Sequence, residues 1–269
     1  MQDATLSTTC QKDVLDPARS NALAVALDLP DRFPTGSALL PFFHQVYFWQ
    51  AEPAAVLGRD GHPKVGGLIP DMGLPRRMWA GGRLEFKKDL QAGYEAEKQS
   101  CCEKAVNKLG RSGPLGLVTL RHDYAQHGSH CVSEWQDLVY REEPSQTAAR
   151  TNFEMASTDF ETSLDIAFDT TMLFRYSALT FNGHRIHYDL PYAQTVEGYE
   201  GLVVHGPLLA QFLMLKATEE LGPLAAFAFR ATAPLFHFET ATLCRKAHVL
   251  WVAGPDGRQC MTAEAKPRL

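Results

Sequence analysis

Cysteine is scarce in this chain: six residues in 269, at 10, 101, 102, 131, 244 and 260. No Cys-x-x-Cys pair occurs, and the adjacent Cys101 and Cys102 are poorly spaced for a zinc ribbon. The pattern reads as reduced thiols rather than a disulfide framework. Positive charge is not in excess either. Lysine and arginine number 26 against 31 acidic residues, a net charge of −5. A polyanion such as nucleic acid is therefore not the expected partner, although a local basic patch could still hold a phosphate-bearing ligand. Long apolar runs are also missing. The opening MQDATLSTTCQKD has no apolar segment of the kind that signal peptides carry. The most apolar window, GLVVHGPLLAQFLML, contains a histidine and is too short to span a bilayer. A soluble, cytoplasmic protein with no membrane partner is expected.

What is present is a globular composition, 45% apolar and 21% charged. The length suits one large domain or two of ordinary size. PARSNALAVALD (17–28) predicts a helix, with proline near its start and alanine and leucine filling it. LLPFFHQVYFW (39–49) predicts a buried helix, although periodicity alone leaves a strand open. A loop-rich span, GRDGHPKVGGLIPDMGLPRR, follows. From Trp79 to Tyr140 strand patterns take over, with a GRSGP turn at 110–114. Residues 142–159 have no steady period and read as a linker. The second half repeats the plan: a polar stretch, a helix from about Pro207 to Leu221, then strands AAFAFRATAPLF, ETATLCRKAHVLWVAG and RQCMTAEA. The order predicts two α+β units, at 1–145 and 146–269, each an antiparallel sheet wrapping an apolar helix.

The most informative stretch is SALTFNGHRIHYD, Ser177 to Asp189. An amide, two histidines and an acid lie within a few residues. His184 and His187, with the later His205, could form a three-histidine metal site, but no HExxH pattern or carboxylate ligand accompanies them. A polar turn with satisfied histidines is a second reading, and a proton-transfer site is a third. Asp189 reads as a helix cap for PYAQ. His122, His127 and His130 read as a solvated hairpin loop, and Cys101-Cys102 as small side chains on a strand.

Asn182-x4-His187, the following PYA and the GYEGLVVHGPLLAQF block together resemble the MaoC-like hydratase/dehydratase signature of the hotdog fold. That family usually reads Asp-x-Asn-Pro-x-His-x-Asp, then a His-Gly step into a helix. LPFFHQVYFW, the GLIPDMGLPRRMWAGGRLEF block and QDLVYREE are similar to the N-terminal half of two-hotdog acyl-CoA hydratases. Those most alike are the itaconyl-, mesaconyl- and 3-methylfumaryl-CoA hydratases; the mitochondrial-type 3-hydroxyacyl-thioester dehydratases are also similar. The resemblance implies a double hotdog and a pseudo-dimer of the two units. It also implies one active site, in the C-terminal unit, with the N-terminal unit shaping the acyl pocket.

It further implies that His187 is the catalytic histidine and that Asn182 stands where the family carries an aspartate. An amide can orient a water but cannot act as a base near neutral pH. Proton transfer would then rest on His187. The thioester oxygen would be stabilised by the Gly206 N–H at the start of the helix, because helix N-termini present free donors. His184 and His205 would lie around the substrate. Arg76 and Arg77 would read a free carboxylate or CoA phosphates, and Arg175 and Arg185 carry the same ambiguity. Trp49, Trp79, Phe42 and Phe43 suit core as well as pocket wall. The expected reaction is hydration of a short branched dicarboxylyl-CoA such as itaconyl-CoA or mesaconyl-CoA, without metal or redox cofactor, in a homo-oligomer such as a dimer. Other readings are a fatty 3-hydroxyacyl-thioester dehydratase, a thioesterase and a non-catalytic acyl-CoA binding protein.

Overall fold

The structure is a computed structural model that describes residues 8–30, 32–110, 113–143 and 153–268. The expected boundary at 145/146 and the middle of the expected linker lie outside the described residues. Ten strands form one antiparallel sheet. They are β1 (Thr8–Val14), β2 (Arg76–Phe86), β3 (Glu95–Gly110), β4 (Gly113–Gln126), β5 (Ser129–Arg141), β6 (Thr162–Ala167), β7 (Leu224–Ala231), β8 (Thr240–Lys246), β9 (Val249–Ala253) and β10 (Gln259–Pro267). Their spatial order is β1-β3-β4-β5-β2-β7-β10-β9-β8-β6. The order reads as two copies of one five-strand topology joined back to back. The second strand of each copy, β2 and β7, pairs with its counterpart at the centre. The repeat that element order suggested is thus a repeat of sheet topology, and the architecture is a double hotdog.

The central pairing depends on small residues. Gly81 and Gly82 face Arg230 and Phe229 in register. A Cβ on Gly81 would sit 2.6 Å from the Phe229 carbonyl oxygen, so only glycine lets β7 approach this closely. β4 alternates along its length, with Val118, Leu120, His122, Tyr124 and Gln126 buried.

Among the described residues there are four α-helices: α1 (Pro17–Ala26), α2 (Thr170–Thr180), α3 (Leu190–Thr195) and α4 (Gly206–Leu221). Asp16 caps α1 by accepting from the Ala18 N–H at 2.8 Å, and Pro17 takes the first turn. α4 is buried over most of its surface and packs on β7, β9, β10 and β2, as a helix at the centre of a sheet must.

The first half departs from the expected plan. The predicted helix over 39–49 is a single 3-10 turn, Phe43–Val46. Phe42 and Phe48 on either side take left-handed conformations, φ 71° and 60°, which a continuous helix cannot accommodate. Apolar content placed the segment correctly in the core, where Phe42, Phe43 and Val46 are fully buried. Among the described residues no long helix fills the N-terminal half of the sheet. Two further strands, β1 and β6, were not expected: β1 has no apolar alternation, and β6 offers only Leu164 and Ile166 about Asp165. ETATLCRKAHVLWVAG is a hairpin of β8 and β9 rather than one strand, turning at Ala247 with φ 49°. Residues 153–159, expected as linker, run beside the β9–β10 turn: Ala156 N–H donates to the Gly257 carbonyl at 2.9 Å. No helix among the described residues is long and apolar enough to cross a membrane.

Candidate active site

A cavity of about 1140 Å³ lies between the two halves of the sheet, and Asn182, His184, His187, Gly206, Arg76 and Arg77 all line it. α2 ends at Phe181 in a left-handed conformation, φ 53°. The chain then turns back on itself. Asn182 N–H donates to the Ser177 carbonyl at 2.9 Å, and the Asn182 side-chain oxygen accepts from the His184 N–H at 3.0 Å. Gly183 packs face to face with Gly61, whose φ is +88°; a Cβ on either would collide with the other's carbonyl oxygen. This contact locks the loop at 58–62 against the motif.

His187 closes a 3-10 turn, Arg185–His187, and is 7% exposed. Its Nδ1 lies 2.7 Å from the Val203 carbonyl oxygen. A carbonyl only accepts, so Nδ1 carries the proton and the Nε2 lone pair is free. Burial pushes the imidazole down to about 4, against the opposing pull of the Val203 hydrogen bond. His187 is therefore neutral at pH 7, the form that can take a proton from water.

His205 stacks on His187 with ring centres 3.7 Å apart. It is fully buried, its Nε2 meets Ser177 Oγ at 2.8 Å, and it does not line the cavity. It supports His187 from behind rather than facing a ligand. His184 does face the cavity and sits edge-on to His187, at 5.4 Å. Burial first, then coupling to His187 and the charges of Arg77 and Arg76, push His184 down to about 2. The three rings pack face to face or edge to face instead of converging on one point, and no group of three or more metal-holding side chains occurs among the described residues.

His205 is the N-cap of α4. Gly206 begins the helix beside the cavity, and Pro207 has no N–H of its own to offer.

The two arginines differ. Arg76 Nε donates to Glu197 at 2.8 Å and its guanidinium lies over the Tyr199 ring, so its charge is already matched. Arg77 has no ion-pair partner among the described residues and also lines a smaller cleft with Arg59 and Lys64. Arg185 pairs with Asp189 at 2.7 Å, and Asp189 caps α3 as expected by accepting from the Tyr192 N–H. Arg175 is exposed. Phe42 and Phe43 belong to the core, Trp79 lines the cavity, and Trp49 is half-exposed and stacked on Phe181.

The expected solvated histidine loop is split. His127 turns the hairpin at φ 51°, whereas His122 is buried inside β4 and faces the cavity. Sequence reasoning also passed over His62, whose ring lies 5.0 Å from that of His184. It passed over Tyr176, buried with its hydroxyl unpartnered and its ring 4.9 Å from His205. His62 sat in a stretch read only as loop, and Tyr176 in α2, a helix with no pattern of its own to mark it.

A buried neutral histidine beside the N-terminus of the central helix of a double hotdog suits addition or removal of water at an acyl thioester. The family profile of hydroxyacyl-thioester dehydratase type 2 matches residues 42–237, and the chain belongs to that family. The mesaconyl-C(4)-CoA hydratase of Chloroflexus aurantiacus is 42% identical over 252 residues, covering 91% of this chain and 90% of its own. A MaoC-like dehydratase from Phytophthora capsici superposes with a TM-score of 0.70 at 11% identity, covering 98% of this chain and 96% of that one. A Mycobacterium tuberculosis protein described as a double hotdog gives a TM-score of 0.61 at 12% identity, covering 98% and 96%. The protein is thus an enzyme that adds water to, or removes it from, acyl-CoA thioesters.

Proposed function

We propose that the enzyme reversibly hydrates the double bond of a short branched dicarboxylyl-CoA, with a mesaconyl-type substrate preferred over an itaconyl-type one and a citramalyl-like hydroxyacid thioester as product. The observation that carries this reading is the 42% identity, over nine-tenths of both chains, to a protein named for hydration of mesaconyl-C(4)-CoA.

In this reading, water is held between the Asn182 side chain and His187 Nε2. The amide oxygen is engaged by the His184 N–H, which leaves the NH₂ group to donate to the water oxygen. His187 takes one proton as hydroxide adds to the β-carbon. The electron pair of the double bond moves to the thioester oxygen, where the Gly206 N–H and the α4 dipole meet the developing charge. The imidazolium then returns its proton to the α-carbon. A histidine held near 4 is a weak base but, once protonated, a strong acid for that second step. The thioester supplies the activation, so this route requires no metal or redox cofactor. Arg77 and Lys64, neither ion-paired among the described residues, suit a CoA phosphate at the smaller cleft, although Asp60 and Asp71 also line it and Arg59 is held by Glu143. The residues of the N-terminal half, up to about 145, shape the acyl pocket.

A 3-hydroxyacyl-thioester dehydratase of fatty-acid metabolism is the second reading, favoured by the family profile and by a cavity larger than a five-carbon acyl group needs. Mass spectrometry of mesaconyl-, itaconyl-, crotonyl- and a long-chain enoyl-CoA after incubation separates the two. Gain of one water on the branched dicarboxylates supports the first. Hydration of the long chain alone, or release of free CoA, overturns it.

A further inference from the structure

The inner face of the N-terminal half, where a central helix would otherwise lie, carries polar residues in register. Thr9 pairs with Ser100, Ser100 with His122, and His122 with Glu134, across β1, β3, β4 and β5. The next row brings Gln11, Lys98 and Tyr124 together. All of these except Glu134, the register partner of His122, line the cavity directly. A face covered by a helix would be apolar; this one faces open space.

Within the layer, Glu134 is saturated. His44 at 2.9 Å and Tyr124 at 3.0 Å engage one carboxylate oxygen, and Gln45 and Gln136, each at 2.9 Å, donate to the other. Glu134 is 1% exposed. Burial works to raise its pKa, but the His44 hydrogen bond and the neighbouring positive charge outweigh it and hold the group ionised.

Two groups are left over. Lys98 extends over the Tyr124 ring, with Nζ 5.6 Å from its centre, and has no ion-pair partner among the described residues. His122 is 4% exposed. Its Nδ1 meets Ser100 Oγ at 2.7 Å, and its Nε2 is buried without a partner. Gln136 approaches the ring without completing a hydrogen bond to Nε2. In the tautomer where Ser100 Oγ donates to Nδ1, Nε2 carries the proton and is buried beside the cavity without an acceptor. An ammonium without an ion pair, balanced only through space by Glu134, and a buried N–H without an acceptor are costly on a cavity wall unless a ligand completes them.

We propose that Lys98 and His122 form a subsite for a carboxylate at the far end of the acyl group, and so select dicarboxylyl thioesters over neutral ones. This rests on the substrate reading above and assigns the residues that enforce it. Lys98 and His122 line the same cavity as Asn182, His187 and Gly206. Lys98 supplies charge and His122 direction, while Glu134 and its four donors hold the sheet face rigid beneath them.

The test compares acyl groups that differ only in the carboxylate. Calorimetry would measure binding of succinyl-CoA against butyryl-CoA, and kinetics would compare mesaconyl-C(4)-CoA with 3-methylcrotonyl-CoA. The wild type is expected to prefer the dicarboxylate at least tenfold in both. Lys98→Met and His122→Asn should each reduce that ratio by about tenfold or more, and Lys98→Arg should largely restore it. Arg77→Met should weaken both members of a pair alike and leave the ratio unchanged. A wild-type preference that survives Lys98→Met and His122→Asn overturns the subsite and leaves the substrate reading intact. A wild type with no preference for the dicarboxylate overturns both. Because ratios are read, a general loss of folded protein cannot imitate the expected result.

Discussion

His187 holds its Nδ1 proton against the Val203 carbonyl at 2.7 Å, and this single bond decides which nitrogen faces the cavity. Val203 N–H in turn donates to the Ile186 carbonyl at 3.0 Å, so the segment before α4 and the turn bearing His187 form one hydrogen-bonded unit. His205, the cap of α4, stacks beneath the same imidazole. The base and the proposed oxyanion donor are therefore fixed relative to one another by backbone rather than by long side chains, the preorganisation that catalysis requires.

Replacing His187 tests the proton transfer. His187→Gln should lower kcat by about 10²–10⁴-fold, with a near-wild-type melting temperature. For the wild type, the neutral imidazole is the competent form and its position near 4 sets the acid limb. kcat/KM should hold level as pH falls from 8 to about 5 and decline below that. An acid limb near 6.5 would show that the imidazole is solvated during turnover, contrary to its burial.

The same burial makes stability depend on pH. His122 and His187 are each held near 4, and His62, His184 and His205 are also pushed down, chiefly by burial. In the unfolded chain these imidazoles protonate near 6.5. Below that pH the unfolded state binds more protons, so stability present above about 6.5 is lost as pH falls towards 4. For His187 alone the drop corresponds to roughly 3 kcal/mol. Urea midpoints measured from pH 7.5 to 4.5 should fall steadily, and His122→Asn should flatten part of the slope. A flat profile over this range would contradict the burial.

Gly206 allows the oxyanion donor to be tested without removing a side chain. A Cβ there would meet the Trp79 carbonyl oxygen at 3.6 Å, an ordinary contact. His205 has φ −60° and ψ 129°, which also suits a residue preceding proline. Gly206→Ala keeps the N–H and should retain kcat within a few-fold. Gly206→Pro removes it and should lose about 10²–10³-fold in kcat. Equal activity of the two variants would place the oxyanion elsewhere.

Much of this arrangement was legible from residues alone. Asn182, His187 and Gly206 stood out because their spacing is that of a known signature, and the structure gathers them on one cavity. α1 and α4 were legible from composition and from prolines at their starts. The 39–49 helix was not, because LLPFFHQVYFW is apolar on every face and periodicity cannot show that Phe42 and Phe48 turn left-handed. Arg76 and Arg77 look alike in sequence, and only the fold brings Glu197 to Arg76, 121 positions away. The polar layer left a fainter trace. His122 and Glu134 fall in the buried phase of β4 and β5, where period 2 asks for apolar residues, and a polar residue in that phase signals either a partner or a site.

Asn182 separates positioning from base chemistry. Asn182→Ala removes the amide that would hold the water, and also the acceptor for the His184 N–H. It should lower kcat by about 10–100-fold with a much smaller change in KM, because the acyl-CoA contacts lie elsewhere. Asn182→Asp keeps the acceptor and the shape but replaces two donors by a carboxylate. It should remain active and, by placing negative charge beside His187, move the acid limb of kcat/KM upward from about 4. An Asn182→Ala enzyme with wild-type kcat would remove the amide from the mechanism.

Glu134 anchors the layer beneath the acyl pocket, and its loss should be felt first as stability. Four donors converge on it at about 1% exposure. Glu134→Ala strands His44, Gln45, Tyr124 and Gln136 together, and breaking a buried pair of this kind costs about 3–5 kcal/mol. Glu134→Gln keeps the shape but turns one oxygen into an NH₂ that faces donors, so two of the four bonds are replaced by donor–donor contacts. It should destabilise less than Glu134→Ala and still measurably. Chemical denaturation of both variants checks the order. If Glu134→Ala is as stable as the wild type, the four donors find water in the cavity as readily as they find the carboxylate, and the layer is not held by its acid.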